Sequence, residues 1–126
     1  MELRSSLSRA RGLGSAKEGV GHWWMQRVTA IALVPLGLWF VFAMAALSGV
    51  DYAGFQAWAG ELGNATLLVV FIIVLFYHAA LGMQVVIEDY VSGEATKTIT
   101  LLAVKFALFF MAVACVLAVA RVALSG

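Results

Sequence analysis

Three long apolar stretches constrain the fold of this 126-residue chain more than any other feature of its sequence. They predict helices of about 24–47, 65–90 and 98–121. About 20 helical residues cross the roughly 30 Å hydrocarbon core of a bilayer. Because 63% of the residues are hydrophobic and 12% are charged, a water-soluble domain of this size could not bury its apolar surface. We predict an all-α integral membrane bundle of three transmembrane helices, forming one membrane-anchor domain over residues 1–126.

The distribution of basic residues predicts the orientation of the bundle. Five of the eight lysines and arginines lie before or at the start of the first span: Arg4, Arg9, Arg11, Lys17 and Arg27. The loop of residues 48–64 has none. Because cytoplasmic segments are enriched in Lys and Arg, the N-terminus is predicted to be cytoplasmic and the C-terminus periplasmic. Residues 1–20 form a basic tail, and residues 1 to about 16 resemble a mitochondrial targeting peptide in composition. The short length of this tail favours a location in a bacterial inner membrane. The sequence does not decide whether the tail is cleaved.

Two local features predict details of the first half of the chain. Pro35 falls about halfway along the first span and should kink that helix or loosen its hydrogen bonds. Tyr52, Phe55 and Trp58 recur at three-residue spacing in the first loop. This spacing predicts a short helix that lies on the outer interface and anchors the loop there.

His78 stands alone near the middle of the second span. An ionisable side chain at membrane depth is costly and needs a partner or a purpose. Neutral imidazole is a common axial ligand of haem iron, and Ala79, Ala80 and Gly82 would let a flat group or a neighbouring helix come close. The other ligand of a six-coordinate iron would then come from another chain. A histidine hydrogen-bonded to a neighbouring helix, or one in a proton relay, explains the same position.

Asp89 and Tyr90 form a second polar site where the same helix leaves the membrane. Eleven residues at about 100° each bring Asp89 within about 20° of His78 on the helix surface, roughly 16 Å further along the axis. A tyrosine hydroxyl can donate to a carbonyl oxygen, and a carboxylate can orient it or pass protons from water. These groups suit the protonation of a quinone that arrives from the lipid. An ordinary polar helix end is the alternative.

Arg27 and His22 lie at the start of the first span. Arg27 is one turn inside Trp23 and stays charged, so an anion is expected near it. A haem propionate is one candidate, since a guanidinium can hold a carboxylate through two hydrogen bonds. A side chain that snorkels to the cytoplasmic interface is the other interpretation.

Two motifs carry a resemblance to the small hydrophobic anchor subunit of succinate dehydrogenase, respiratory complex II, called the D or cytochrome b small subunit. They are Gly21-His22-x4-Arg27-x-Thr29-Ala30 and His78-Ala79-x2-Gly82-Met83-x5-Asp89-Tyr90. The resemblance extends from about residue 19 to the C-terminus, and its most specific part is the spacing between the histidine and the Asp-Tyr pair.

The resemblance implies a role for each of these residues. His78 matches the axial ligand of a haem b whose other ligand comes from a companion cytochrome b subunit. Tyr90 matches the tyrosine that hydrogen-bonds the ubiquinone carbonyl, and Asp89 the acid beside it. Arg27 and His22 match basic residues near the haem propionates and the quinone pocket.

The expected function is that of a membrane anchor for succinate:ubiquinone oxidoreductase, which links the tricarboxylic acid cycle to electron transport. The chain would have no activity of its own, and would anchor a flavoprotein subunit and an iron–sulfur subunit. A haem-free three-helix protein with a His/Asp proton relay is one alternative. A b-type cytochrome anchor of another quinone-linked dehydrogenase is the second. The net charge of +1 gives no support for nucleic-acid binding.

Overall fold

The computed structural model describes residues 17–125, and this range is helical without strands. Its helices are α1 (Lys17–Ala46), α2 (Tyr52–Gly60), α3 (Leu62–Tyr90) and α4 (Glu94–Leu124). Helices α1, α3 and α4 are long and apolar enough to cross a membrane. The predicted all-α fold with three spans is confirmed. Residues 1–16 of the predicted basic tail lie outside the described residues, whereas α1 already begins at Lys17. The orientation of the termini stays a prediction.

Helix α3 is the centre of the bundle because it packs against both α1 and α4. Few side chains are enclosed by this arrangement: Thr29, Ala59, Leu68, Leu81 and Ile87. Three helices placed in this way have little interior, and many large apolar side chains face outward. An outward apolar surface is what lipid or further transmembrane helices would cover.

The short helix predicted in the first loop is confirmed as α2. The Asp51 carboxylate caps it by accepting a 2.9 Å hydrogen bond from the Gly54 amide. The Trp58 ring stacks on Trp39 of α1, with centroids 6.0 Å apart, and Ala59 is only 1% exposed. Helix α2 therefore packs into the end of the bundle, which is more than the simple interfacial anchoring expected from its aromatic residues.

The proline expected to disturb the first span leaves it as one helix. Helix α1 runs from Lys17 to Ala46 through Pro35. Since proline has no amide proton, the carbonyl four residues earlier, on exposed Ile31, lacks its usual donor within the helix.

A tight turn connects α3 to α4 and fixes where the Asp89-Tyr90 end of α3 lies. Val91 ends α3 with its amide donating to the Ile87 carbonyl. Gly93 then adopts a φ of 85°, which a side chain would strain, and precedes the first residue of α4. The Asp-Tyr pair therefore sits at a turn between two membrane-spanning helices.

Candidate functional site

A hydrogen bond between the side chains of His78 and Thr29 links α3 to α1. The Thr29 Oγ1 atom lies 2.8 Å from His78 Nδ1. Thr29 is 5% exposed, and it is the buried polar residue of the described part of the chain. The same Oγ1 atom also lies 2.6 Å from the Met25 carbonyl oxygen and 3.1 Å from that of Gln26. His78 thus has one ring nitrogen engaged by a hydroxyl whose position is fixed by its own helix.

Thr29 belongs to a set of polar side chains on the face of α1 that meets α3, formed by His22, Gln26 and Thr29 and called the polar stripe below. A Cβ built at Gly82 of α3 would lie 3.6 Å from Gln26 Nε2, which places the amide against that glycine. His22 Nε2 and Gln26 Oε1 are buried and have no hydrogen-bond partner within residues 17–125. Buried polar atoms are normally hydrogen-bonded, so partners for these two atoms are expected from water, a ligand, another chain or residues of this chain outside 17–125.

Arg27 lies on a different side of α1. It precedes Thr29 by two residues, which turns it about 160° away from the face that meets α3. Its guanidinium is exposed and lies over the Trp23 ring, 4.7 Å from the centroid. The structure therefore does not bring Arg27 together with His22 or His78. An anion bound by Arg27 would come from outside the part of the chain that the structure describes.

Asp89 and Tyr90 occupy the last turn of α3. Because α3 is one helix from Leu62 to Tyr90, the shared face of His78 and Asp89 follows from regular helical geometry. Both residues of the pair are exposed, Tyr90 by 84%. The side chain of Gln84 donates a 3.1 Å hydrogen bond to the neighbouring carboxylate of Glu88, not to that of Asp89. The tyrosine hydroxyl and the Asp89 carboxylate are thus presented outward.

A groove lies elsewhere in the described residues, between α3 and α4. The groove has a volume of about 470 Å³ and is lined mainly by apolar side chains. Tyr77 and Lys105 add a hydroxyl and an ammonium group to this lining. A second groove of about 390 Å³ lies near the other end of the same helix pair. Neither groove includes Asp89 or Tyr90.

The described residues contain no cluster of three or more His, Cys, Asp or Glu side chains able to hold a metal ion. One histidine that contributes a single ligand to a shared group is compatible with this finding.

Comparison with known proteins decides the family. The model of the succinate dehydrogenase/fumarate reductase transmembrane subunit family matches residues 1–119. The chain belongs to this family. The resemblance found in the two sequence motifs is therefore confirmed.

Relatives in this transmembrane subunit family match along most of the chain. The succinate dehydrogenase hydrophobic membrane anchor subunit of Rickettsia bellii is 38% identical over 119 residues, 94% of each chain. The protein of the same name from Paracoccus denitrificans is 35% identical over 117 residues, 93% of this chain and 90% of the relative. The succinate dehydrogenase membrane anchor subunit of Reclinomonas americana is 34% identical over 92 residues, 71% of this chain and 77% of that protein. No solved structure matches the chain significantly.

For this member of the family, sequence reasoning found His78 but assigned no role to Thr29 and overlooked Gln26. A signal was available. His22, Gln26 and Thr29 are four and three residues apart, the spacing that places side chains on one helix face. Polar residues at this spacing in an apolar helix indicate a face that meets another helix or a ligand.

Proposed function

We propose that the chain is the hydrophobic membrane anchor subunit of a succinate:ubiquinone oxidoreductase. In this role it holds the flavoprotein and iron–sulfur subunits at the membrane, supplies one ligand to a shared haem b and forms part of the quinone site. Family membership and the names of the relatives support the anchor role. The observation that carries the haem assignment is His78 itself, at mid-helix and held at Nδ1 by Thr29.

The residues present fit a haem b at this place. With Nδ1 engaged, His78 has Nε2 left to bind iron. The His22 Nε2 atom has no hydrogen-bond partner within residues 17–125 and lies on the same face of α1 as Thr29. It is nearer the predicted cytoplasmic end of the helix, where it can donate to a propionate. Arg27 points away from the polar stripe, and we assign it to a propionate or another anion held between subunits. When bound, the haem would supply a one-electron centre, and a companion cytochrome b subunit would contribute the other residue that holds its iron.

The quinone site is proposed at Asp89 and Tyr90. Reduction of ubiquinone to ubiquinol consumes two electrons, which the iron–sulfur subunit would deliver, and two protons. The exposed Tyr90 hydroxyl donates a hydrogen bond to a quinone carbonyl oxygen, which favours the negative charge that develops there. The Asp89 carboxylate accepts protons from cytoplasmic water and passes them to the site. The remaining walls come from the companion and iron–sulfur subunits, since the pair is exposed in this chain.

The outward apolar surface supports assembly with a second membrane subunit and with lipid. Side chains such as Ile31, Phe42 and Phe110 are about 70% exposed and would be covered in a complex or a bilayer. Matches to proteins of Rickettsia and Paracoccus support a bacterial inner membrane as the location. The basic N-terminal segment supports a cytoplasmic N-terminus, which puts Asp89 and Tyr90 on the side where soluble subunits dock.

The test is a dithionite-reduced minus oxidised spectrum of the complex, purified with its native partners in mild detergent. We expect a b-type α-band that is lost or shifted in His78→Ala. An α-band that is unchanged in His78→Ala would contradict the haem assignment. A flat spectrum with intact partners would identify a haem-free anchor, and absence of both partners and haem would favour the proton relay.

A further inference from the structure

The hydrogen-bonding capacity of the Thr29 hydroxyl determines which nitrogen of His78 carries the proton. A hydroxyl has one proton to donate, and a carbonyl oxygen can only accept. The Met25 carbonyl, 2.6 Å from Oγ1, takes that proton, with the Gln26 carbonyl at 3.1 Å as the longer contact. If Oγ1 instead donated to His78, its lone pairs would face two carbonyl oxygens. With its only proton on the Met25 carbonyl, Oγ1 can take part in the 2.8 Å contact only as the acceptor, which would make His78 Nδ1 the donor.

We infer that Thr29 is a positioning residue that holds His78 in the tautomer with a proton on Nδ1 and a lone pair on Nε2. This inference rests on the proposed haem function, because that is the tautomer in which Nε2 can bind iron. A metal-binding histidine characteristically donates its other ring proton to an acceptor that fixes its tautomer and ring orientation. Here the acceptor is buried, and its hydroxyl is fixed by α1. The imidazole is thus oriented by a residue of this chain.

The hydrogen bond should also change the electronic properties of the ligand. An acceptor on Nδ1–H makes Nε2 a stronger electron donor, which favours ferric over ferrous iron. Thr29→Val keeps the shape of the side chain and removes the acceptor. We expect an approximately tenfold shift of the haem equilibrium toward the ferrous form, which is about 59 mV for one electron. Thr29→Ser, which keeps a hydroxyl, should restore most of the original potential.

Two other threonines provide a matched control. Thr66 and Thr100 each donate to the carbonyl four residues earlier, at 2.7 Å, as Thr29 does to Met25. Both of these hydrogen bonds are exposed, and neither hydroxyl contacts a histidine. Thr66→Val and Thr100→Val therefore remove the same backbone contact without touching His78. The haem potential should be unchanged in both.

The test is a potentiometric titration of the haem α-band in the purified complex. A raised potential in Thr29→Val, recovery in Thr29→Ser and no change in the two controls would support the inference. An unchanged potential in Thr29→Val would overturn it, while loss of the α-band in His78→Ala would leave the proposed function standing.

A second measurement does not depend on haem. It distinguishes a failure of the tautomer inference from a failure of the proposed haem function. The full chain, labelled with ¹⁵N-histidine in lipid nanodiscs, has two histidines, so His78→Ala assigns the signal. A protonated Nδ1 in the original chain that is lost in Thr29→Val supports the inference even if His78→Ala retains the α-band. A protonated Nε2 in the original chain overturns it.

Discussion

The sharpest prediction concerns Tyr90→Phe, a change that removes one hydroxyl and keeps the ring. Tyr90 is 84% exposed and ends α3, so the hydroxyl supports no packing against the residues that the structure describes. The effect on stability should stay within about 0.5 kcal/mol, as for other surface substitutions. Any larger effect must come from a molecule that meets Tyr90 in the assembled complex.

The expected loss follows from the proposed hydrogen bond to the quinone. A hydrogen bond to a charged partner contributes about 1.5–3 kcal/mol, and a quinone oxygen gains negative charge as it is reduced. At 1.36 kcal/mol per factor of ten, this is a decrease of about 13- to 160-fold in the quinone reductase rate. Succinate oxidation with a soluble dye, which bypasses the quinone site, should keep its original rate.

The ratio of quinone reductase to dye reductase activity measures this effect in the purified complex. Tyr52→Phe is the matched control, because Tyr52 is also exposed but begins α2 in the loop at the opposite end of α3. An unchanged ratio in Tyr90→Phe, or an equal decrease in the control, would refute the assignment of the quinone site. A parallel loss of both activities would indicate failed assembly instead.

Three further substitutions test the ends of the bundle. Asp89→Asn removes a negative charge from the C-terminal end of α3, where the helix dipole disfavours negative charge. The quinone reductase rate should fall, while the midpoint temperature of thermal disassembly should not. Trp58→Ala removes the stacking of this ring on α1 and should destabilise the folded chain by about 2 kcal/mol. The midpoint temperature of thermal disassembly should fall in this variant and stay unchanged in Tyr52→Ala, which alters an exposed residue. Ala59→Leu places a larger side chain at a site that is 1% exposed and should lower the stability of the fold by about 1–3 kcal/mol. Ala57→Leu, on the exposed side of α2, should leave the midpoint temperature unchanged.

The sequence by itself determined the number of spans, the short helix of the first loop and the place of His78 near the middle of its helix. These features depend on the length of an apolar run and on the position of a residue within it, which are local properties. The shared face of His78 and Asp89 was also predictable, since both lie on one uninterrupted helix.

Only the tertiary structure decided which helix faces meet. The contact of His78 with Thr29, the stacking of Trp58 on Trp39 and the outward direction of Arg27 each depend on the rotation of α1 about its axis. In a water-soluble bundle, the apolar stripe of each helix indicates its inner face. In a membrane, lipid is as apolar as the bundle interior, so a helix that is apolar all round carries no such signal. Close packing and a few polar side chains set the rotation instead, and they act between residues far apart in the sequence.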